Sequence, residues 1–264
     1  MPLLMIDLDN TLVDRDAAFR EAAVAFLAEH GLPEGDLDWL TGLDGSGYTP
    51  RQDVARAMSE RYGLHASAIR HLLDHGAAEH VALTEVTRDA LREASGSGWT
   101  CVIVTNGRVT QQETKIRNTG LDRLVHGWVI SEALGHKKPA PEIFHAAADT
   151  VGVPLDGAWM IGDAAHADVR GALGVGARSV WVSGGREWGE EGYRPTHITR
   201  DTASAIRHVI AGPADPAGPA GPAGPAGPAG PAGPAGPAGP RRSATAATPS
   251  TIPRSVTSPN PSTS

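Results

Sequence analysis

Two carboxylates, Asp7 and Asp9, follow directly on a short apolar run at 3–6, with Thr11 close behind. A second apolar run, 101–104, is followed by Thr105, Asn106 and Gly107. A third, 158–161, is followed by Gly162 and Asp163, with Asp168 a little further on. Lys137-Lys138-Pro139 lies between the second and third runs, just before a stretch with helical spacing. An exposed Asp7 can attack phosphorus to give an acyl phosphate. Asp9 points the same way if the strand continues, and can protonate a leaving alcohol and then deprotonate water. Thr105 and the amides of Asn106 and Gly107 can bind phosphoryl oxygens, and Lys138 can neutralise both nucleophile and phosphate. Asp163 is a hard oxygen ligand for Mg²⁺, and Asp168 either joins it or orients it.

Each piece has a plainer reading when taken alone. Asp7 and Asp9 fit a turn or a helix start. Thr105-Asn106-Gly107 fits a turn after a strand, and Asp168 fits the first turn of a helix, where a carboxylate favours the dipole. Their order and their common position after apolar runs give the set its weight.

The elements that must position these residues are legible as a pattern. The runs at 3–6, 101–104, 158–161 and 179–182 are short, apolar and not alternating, as suits strands buried on both faces of a parallel sheet. Helical spacing appears at 84–94, 109–118, 141–151 and 168–173. Strand and helix alternate, which predicts a doubly wound α/β layer. In such sheets ligands bind at the carboxyl ends of the strands, where every candidate above stands. The alternation breaks from Asp14 to about residue 82, where helical segments at 17–30, 50–62 and 67–79 occur without a convincing strand. A helical insertion of this kind over a parallel sheet can exclude water from a site.

After Gly212 the composition changes. Residues 218–240 repeat Gly-Pro-Ala, and a tail rich in Ser, Thr and Pro follows. Strict Gly-X-Y with proline resembles collagen, but the tract is short and Asp215 occupies what would be an earlier glycine position. A disordered, polyproline-like tail over 213–264 is the preferred expectation. The net charge is −7, and 213–264 holds one acid and three arginines, so the preceding part carries −9. That part is too acidic for non-specific binding to nucleic acid or anionic membrane. A metal ion can still reverse the local sign for a small anionic substrate. The single cysteine, Cys101, lies in an apolar run and reads as a small buried hydrophobe. No run approaches the roughly 18 apolar residues of a membrane span. Asp7 and Asp9 interrupt the apolar start too early for a signal-peptide core. The expectation is a cytoplasmic protein.

The quoted motifs resemble those of a known family. Asp7-Leu8-Asp9-Asn10-Thr11-Leu12, Val104-Thr105-Asn106-Gly107, Lys138-Pro139-Ala140-Pro141-Glu142-Ile143-Phe144 and Ile161-Gly162-Asp163 through Asp168 are similar to the four motifs of the haloacid dehalogenase superfamily. Gln112 to Lys115, Gly120-Leu121 and Ser131-Glu132 are similar to connecting segments of its phosphatase branch, and the likeness spans about 3 to 190. It implies a Rossmann-like core over 1–14 and 83–212 with a helical cap at 15–82. It also implies Mg²⁺ held by the Asp7 carboxylate, the Asp9 backbone carbonyl and Asp163. Dehalogenase members lack an acid two residues after the nucleophile, so Asp9 favours the phosphatase branch; phosphomutases carry it too. Two departures, Ala164 and Ala167, stand where members often have polar residues, which removes possible hydrogen bonds around the metal ligands. The family places the functional lysine directly before proline, which selects Lys138 and leaves Lys137 solvated.

Several residues carry weaker expectations. Arg51 suits a second anionic group on the substrate, and Tyr48 with the loop at 44–47 could face it. Trp188 could flank the site opening, whereas Trp159 and Trp181 read as core. The eleven histidines are scattered, and His71 and His75 lack a surrounding zinc signature. The combined expectation is a Mg²⁺-dependent hydrolase of a small phosphate ester, monomeric or dimeric, with no nucleic-acid or membrane partner. A phosphomutase on a sugar phosphate is one alternative. An inactive binding protein, trimerised by the Gly-Pro-Ala tract as a triple helix, is the other.

Overall fold

Every residue of β1 (Leu3–Ile6) is buried, and its side chains divide between two apolar layers. Leu4 and Ile6 join one cluster, Leu3 and Met5 the other. A strand covered on both faces has no place for a charge until it ends, so the first carboxylate falls at position 7. The same division recurs in β2 (Thr100–Thr105), where Cys101 and Ile103 face one layer and Val102 and Val104 the other. The computed structural model describes residues 1–212. Expectations about the tail at 213–264 and its Gly-Pro-Ala repeat lie outside the described residues.

The inserted helices come next. They are α1 (Arg15–Glu29), α2 (Leu37–Asp44), α3 (Arg51–Tyr62), α4 (Ala66–His71) and α5 (Ala77–His80), the last two joined by a π-helical turn at Leu72–Gly76. Phe19, Phe26, Leu40, Val54, Met58, Ile69 and Leu72 form an apolar cluster of their own among these helices. Helix α1 starts because the Asp14 carboxylate accepts from the Ala17 N–H at 2.9 Å. Thr84 does the same for α6 (Glu85–Gly96) through the Thr87 N–H. Helix α2 differs from expectation: it is short, and its Asp-, Gly- and Trp-containing sequence gives little helical periodicity.

The rest alternates as α7 (Val109–Asn118), β3 (Gly127–Ile130), α8 (Ser131–Leu134), α9 (Pro141–Val151), β4 (Trp159–Gly162), α10 (Gly171–Gly174), β5 (Arg178–Val182), β6 (His197–Thr199) and α11 (Thr202–Ala211). The six strands are all parallel, in the order β3-β2-β1-β4-β5-β6. This is the expected doubly wound, Rossmann-like sheet. Helices α6 and α11 cover one face through Ala90, Leu91, Ala205, Ile206 and Val209. Helix α9 covers the other through Ile143, Phe144 and Ala147. The two edge strands lie outside the expected runs. In β6 two of three residues are exposed, so it needs no continuous apolar sequence, whereas β3 ends in the short apolar run Trp128-Val129-Ile130. Cys101, Trp159 and Trp181 are buried as expected. Among the described residues no helix is long and apolar enough to cross a membrane.

Candidate active site

Strand order reverses around β1, whose chain neighbours β2 and β3 lie on one side and β4 to β6 on the other. The carboxyl ends of β1, β2 and β4 thus meet at the switch point of the sheet. The chain leaves β1 in a tight turn. The Asp7 N–H still donates to the Ile161 carbonyl at 2.9 Å. The Leu8 carbonyl then accepts from the N–H groups of Thr11, Leu12 and Val13, and Asn10 adopts φ +58°. This corrects one expectation. The strand does not continue to Asp9, so the two carboxylates part company and face different partners.

Asp7 is turned into the buried side. Its Oδ1 accepts from Lys138 Nζ at 2.5 Å. The same ammonium donates to the Val104 carbonyl at 2.6 Å and lies 2.8 Å from Asp168 Oδ1. Asn106 fixes the lysine from below: its Oδ1 accepts from the Lys138 N–H at 2.8 Å and its Nδ2 donates to the Lys138 carbonyl at 3.1 Å. Lys137 is exposed, as expected.

Asp163 and Asp168 complete this half. Asp168 does not open an α-helix. It sits within a π-helical turn, Ala165–Arg170, with the α-helical α10 only after it. Its Oδ2 accepts from the Ala164 N–H at 3.0 Å. Ala164 thus supplies a backbone donor that needs no side chain. Gly162 is required by the closeness of that carboxylate, since a Cβ there would lie 2.1 Å from Asp168 Oδ2. Asp163 Oδ2 accepts from Arg186 Nη2 at 3.2 Å, and its carbonyl accepts from Arg186 and from the Trp181 indole. Trp188 packs edge-on against Trp181, 5.0 Å between centroids.

One carboxylate oxygen each from Asp7, Asp163 and Asp168 can be chosen so that all three lie within 4.8 Å of one another. Burial pushes the Asp7 carboxyl up to about 8, helped by Asp168 and Asp163 and opposed by Lys138. Burial likewise pushes Asp163 up to about 7, with Asp168 adding to it. Three acids facing the Lys138 ammonium and the Arg186 guanidinium leave one negative charge in excess. Asp168 Oδ1, though close to Lys138, is buried without a hydrogen bond of proper angle. The donor set is all hard oxygen. Opposite ligands of an octahedral Mg²⁺ lie about 4 Å apart, so these residues fit that ion with small side-chain adjustment. His71 and His75 lie 5.3 Å apart between ring centroids and join no such cluster among the described residues.

Asp9 faces helix α7. Lys115 Nζ donates to both of its oxygens, at 2.6 and 2.8 Å, and Gln112 Nε2 donates to Oδ2 at 2.9 Å. Burial raises its pKa, but the Lys115 ammonium and the Gln112 amide outweigh it and hold the carboxyl below its ordinary value. Gln112 also donates to Thr105 Oγ1 at 2.6 Å. Neither Gln112 nor Lys115 stood out in the sequence as chemistry, because a polar residue on a helix reads as solvated. Their likeness to a connecting segment of the phosphatase branch was the one available signal.

Other expected site residues are placed differently. The Gly107 N–H donates to Ser131 Oγ at 3.0 Å rather than standing free. Arg51 does not reach the carboxylates: Nη2 donates to Gln111 Oε1 at 2.7 Å, and Nη1 lies 3.9 Å from Asp74. Its helix starts on the inserted segment, so its neighbours are the elements at the seam with α7. Tyr48 is exposed as a whole, but partial burial of its hydroxyl, with Asp163, Asp168 and Asp7 adding to it, pushes that group up to about 12. The loop before it is pinned by Asp44, which accepts from the Gly47 N–H and pairs with the buried Arg15.

A family model described as haloacid dehalogenase-like hydrolase matches residues 4–182, a span that runs from β1 through Asp168. The chain belongs to this family. The glyceraldehyde 3-phosphate phosphatase of Pyrococcus furiosus is 28% identical over 203 residues, 70% of this chain and 81% of that protein. The phosphoglycolate phosphatase of Cereibacter sphaeroides is 30% identical over 154 residues, 56% of this chain and 71% of that one. Among solved structures, the magnesium-bound HAD-hydrolase YfnB from Bacillus subtilis superposes with a TM-score of 0.61 at 21% identity, covering 79% of this chain and 98% of that one. Within the haloacid dehalogenase-like hydrolases the chain is an enzyme of the phosphatase branch.

Proposed function

We propose that this haloacid dehalogenase-like enzyme is a Mg²⁺-dependent phosphomonoester hydrolase of a small phosphorylated metabolite, working through an aspartyl phosphate on Asp7. The observation that carries the reading is the separation of two carboxylates at one strand end. Asp7 is buried on Lys138 beside Asp163 and Asp168, and Asp9 is turned onto Lys115 and Gln112. Asp7 Oδ attacks phosphorus, and the bond from phosphorus to the ester oxygen breaks. Asp9 gives a proton to the departing oxygen. Water then attacks the acyl phosphate and returns a proton to Asp9, freeing phosphate and restoring Asp7. Lys138 neutralises the nucleophile and the transferring group, and Thr105 with the Asn106 N–H binds phosphoryl oxygens. The Asp7 carboxylate, the Asp9 carbonyl and Asp163 would hold Mg²⁺, with Asp168 beside them. The ion, when bound, neutralises charge on the phosphoryl oxygens.

Residues 15–82 act in this reading as a cap over the site, with Tyr48 at its mouth. The test is turnover of 4-nitrophenyl phosphate with and without Mg²⁺, combined with hydroxylamine trapping of the acyl phosphate. Mg²⁺-dependent turnover and a trapped adduct at Asp7 are expected. Turnover that survives Asp7→Asn unchanged refutes the nucleophile. Recovery of an isomeric phosphate instead of free phosphate would make the enzyme a mutase.

A further inference from the structure

Helix α7 presents Gln112 and Lys115, one turn apart, to Asp9. Both are buried, Gln112 at 1% exposure and Lys115 at 2%. A buried ammonium is costly unless an opposite charge meets it. Among the described residues Asp9 is the only acid within ion-pair distance of Lys115. The ammonium grips both Asp9 oxygens, and the Gln112 amide adds a third contact. Asp9 itself stands in a turn at the edge of the site, 27% of its side chain exposed. Without these donors its rotamer would be free. Gln112 also holds Thr105 Oγ1, so one side chain sets the separation between Asp9 and a phosphoryl-binding hydroxyl.

We infer that Lys115 and Gln112 are positioning residues that aim the Asp9 carboxyl at the ester oxygen. The inference rests on the reading of Asp9 as the acid–base group. It predicts an effect confined to proton transfer. Misplacing a catalytic group by about 1 Å costs on the order of 100-fold in rate, but only in a step that uses that group. Nitrophenolate departs without a proton, whereas an alkoxide needs one. The value of kcat/KM reports events up to departure of the leaving group, so it isolates this step from hydrolysis of the acyl phosphate.

The experiment compares kcat/KM of the full chain with Mg²⁺ for 4-nitrophenyl phosphate and for a simple alkyl phosphate. Lys115→Met keeps an unbranched side chain one atom shorter and removes its charge. It should lower the alkyl value at least about tenfold more than the aryl value. Gln112→Leu should act in the same direction and more weakly. It decides the matter alone if Lys115→Met does not fold. Equal losses on both substrates, or no loss on either, overturn the inference. Asp9→Asn separates the two levels: if it does not discriminate between leaving groups, the reading of Asp9 fails first. If Asp9→Asn discriminates and the α7 variants do not, only the positioning role fails. In the Asp9→Asn background, Lys115→Met should add no further discrimination.

Discussion

The surroundings of Asp7 and of Asp9 differ more than two residues of sequence would suggest. Around Asp7, two carboxylates share the Lys138 ammonium while Asp163 meets Arg186, and burial pushes Asp7 up to about 8 and Asp163 to about 7. Around Asp9, one carboxylate meets one ammonium and one amide, and it is held below its ordinary value. The first pocket is short of positive charge and the second is balanced. A charge deficit among hard oxygen donors suits a bound cation. A balanced pair holds its carboxylate in one orientation.

The comparison breaks most visibly at the nucleophile. Asp7→Asn should lower kcat/KM for an aryl phosphate by at least about 10³-fold, measured under saturating Mg²⁺, because the covalent route is lost. Lys138→Met tests the charge deficit directly. Its side chain is 2% exposed, and removing one partner of a buried pair costs about 3–5 kcal/mol. Urea unfolding of the metal-free protein should show that loss, with partial recovery at low pH where the carboxylates are protonated.

A third measurement uses pH. Asp7 and Asp163 have raised pKa values in the fold, about 8 and about 7 against an ordinary 3.8. Their protonated forms therefore contribute stability that is full below about pH 4 and lost as pH rises through 7 and 8. A cation replaces those protons. The increase in melting temperature on adding Mg²⁺ should thus grow between pH 5 and pH 8, reaching the equivalent of about 2.7 kcal/mol at a hundredfold excess over Kd. A constant increment across that range would contradict the charge-deficit description. The smallest effect is expected at Gly162→Ala. Overpacking costs about 1–3 kcal/mol, and here the clash falls on Asp168, so weaker Mg²⁺ binding by calorimetry should accompany the lost stability.

Much of the site was written locally. A strand buried on both faces cannot carry a charge, so the end of each apolar run announced where Asp7, Thr105 and Asp163 would stand. Lys138, rather than Lys137, was selected by the resemblance to the family, which places its functional lysine directly before proline. The helices at Val109–Asn118 and Pro141–Val151 were likewise legible from spacing. The edge strand β6 was not, because two of its three residues are exposed and it needs little apolar sequence; in β3 the apolar run Trp128-Val129-Ile130 is only three residues long.

The alternating layers, the ends of the four central strands and the residues gathered there follow from local sequence, since these depend on where charge is tolerated. Which partner each carboxylate takes depends on contacts made only in the folded chain. The turn at Leu8 and Asn10 separates Asp7 from Asp9. Helix α7 then brings Lys115 and Gln112 to Asp9 across more than a hundred residues of chain, with Lys115 reaching it at a separation of 106. No periodicity records such a contact, because burial of a lysine depends on the acid that meets it in space.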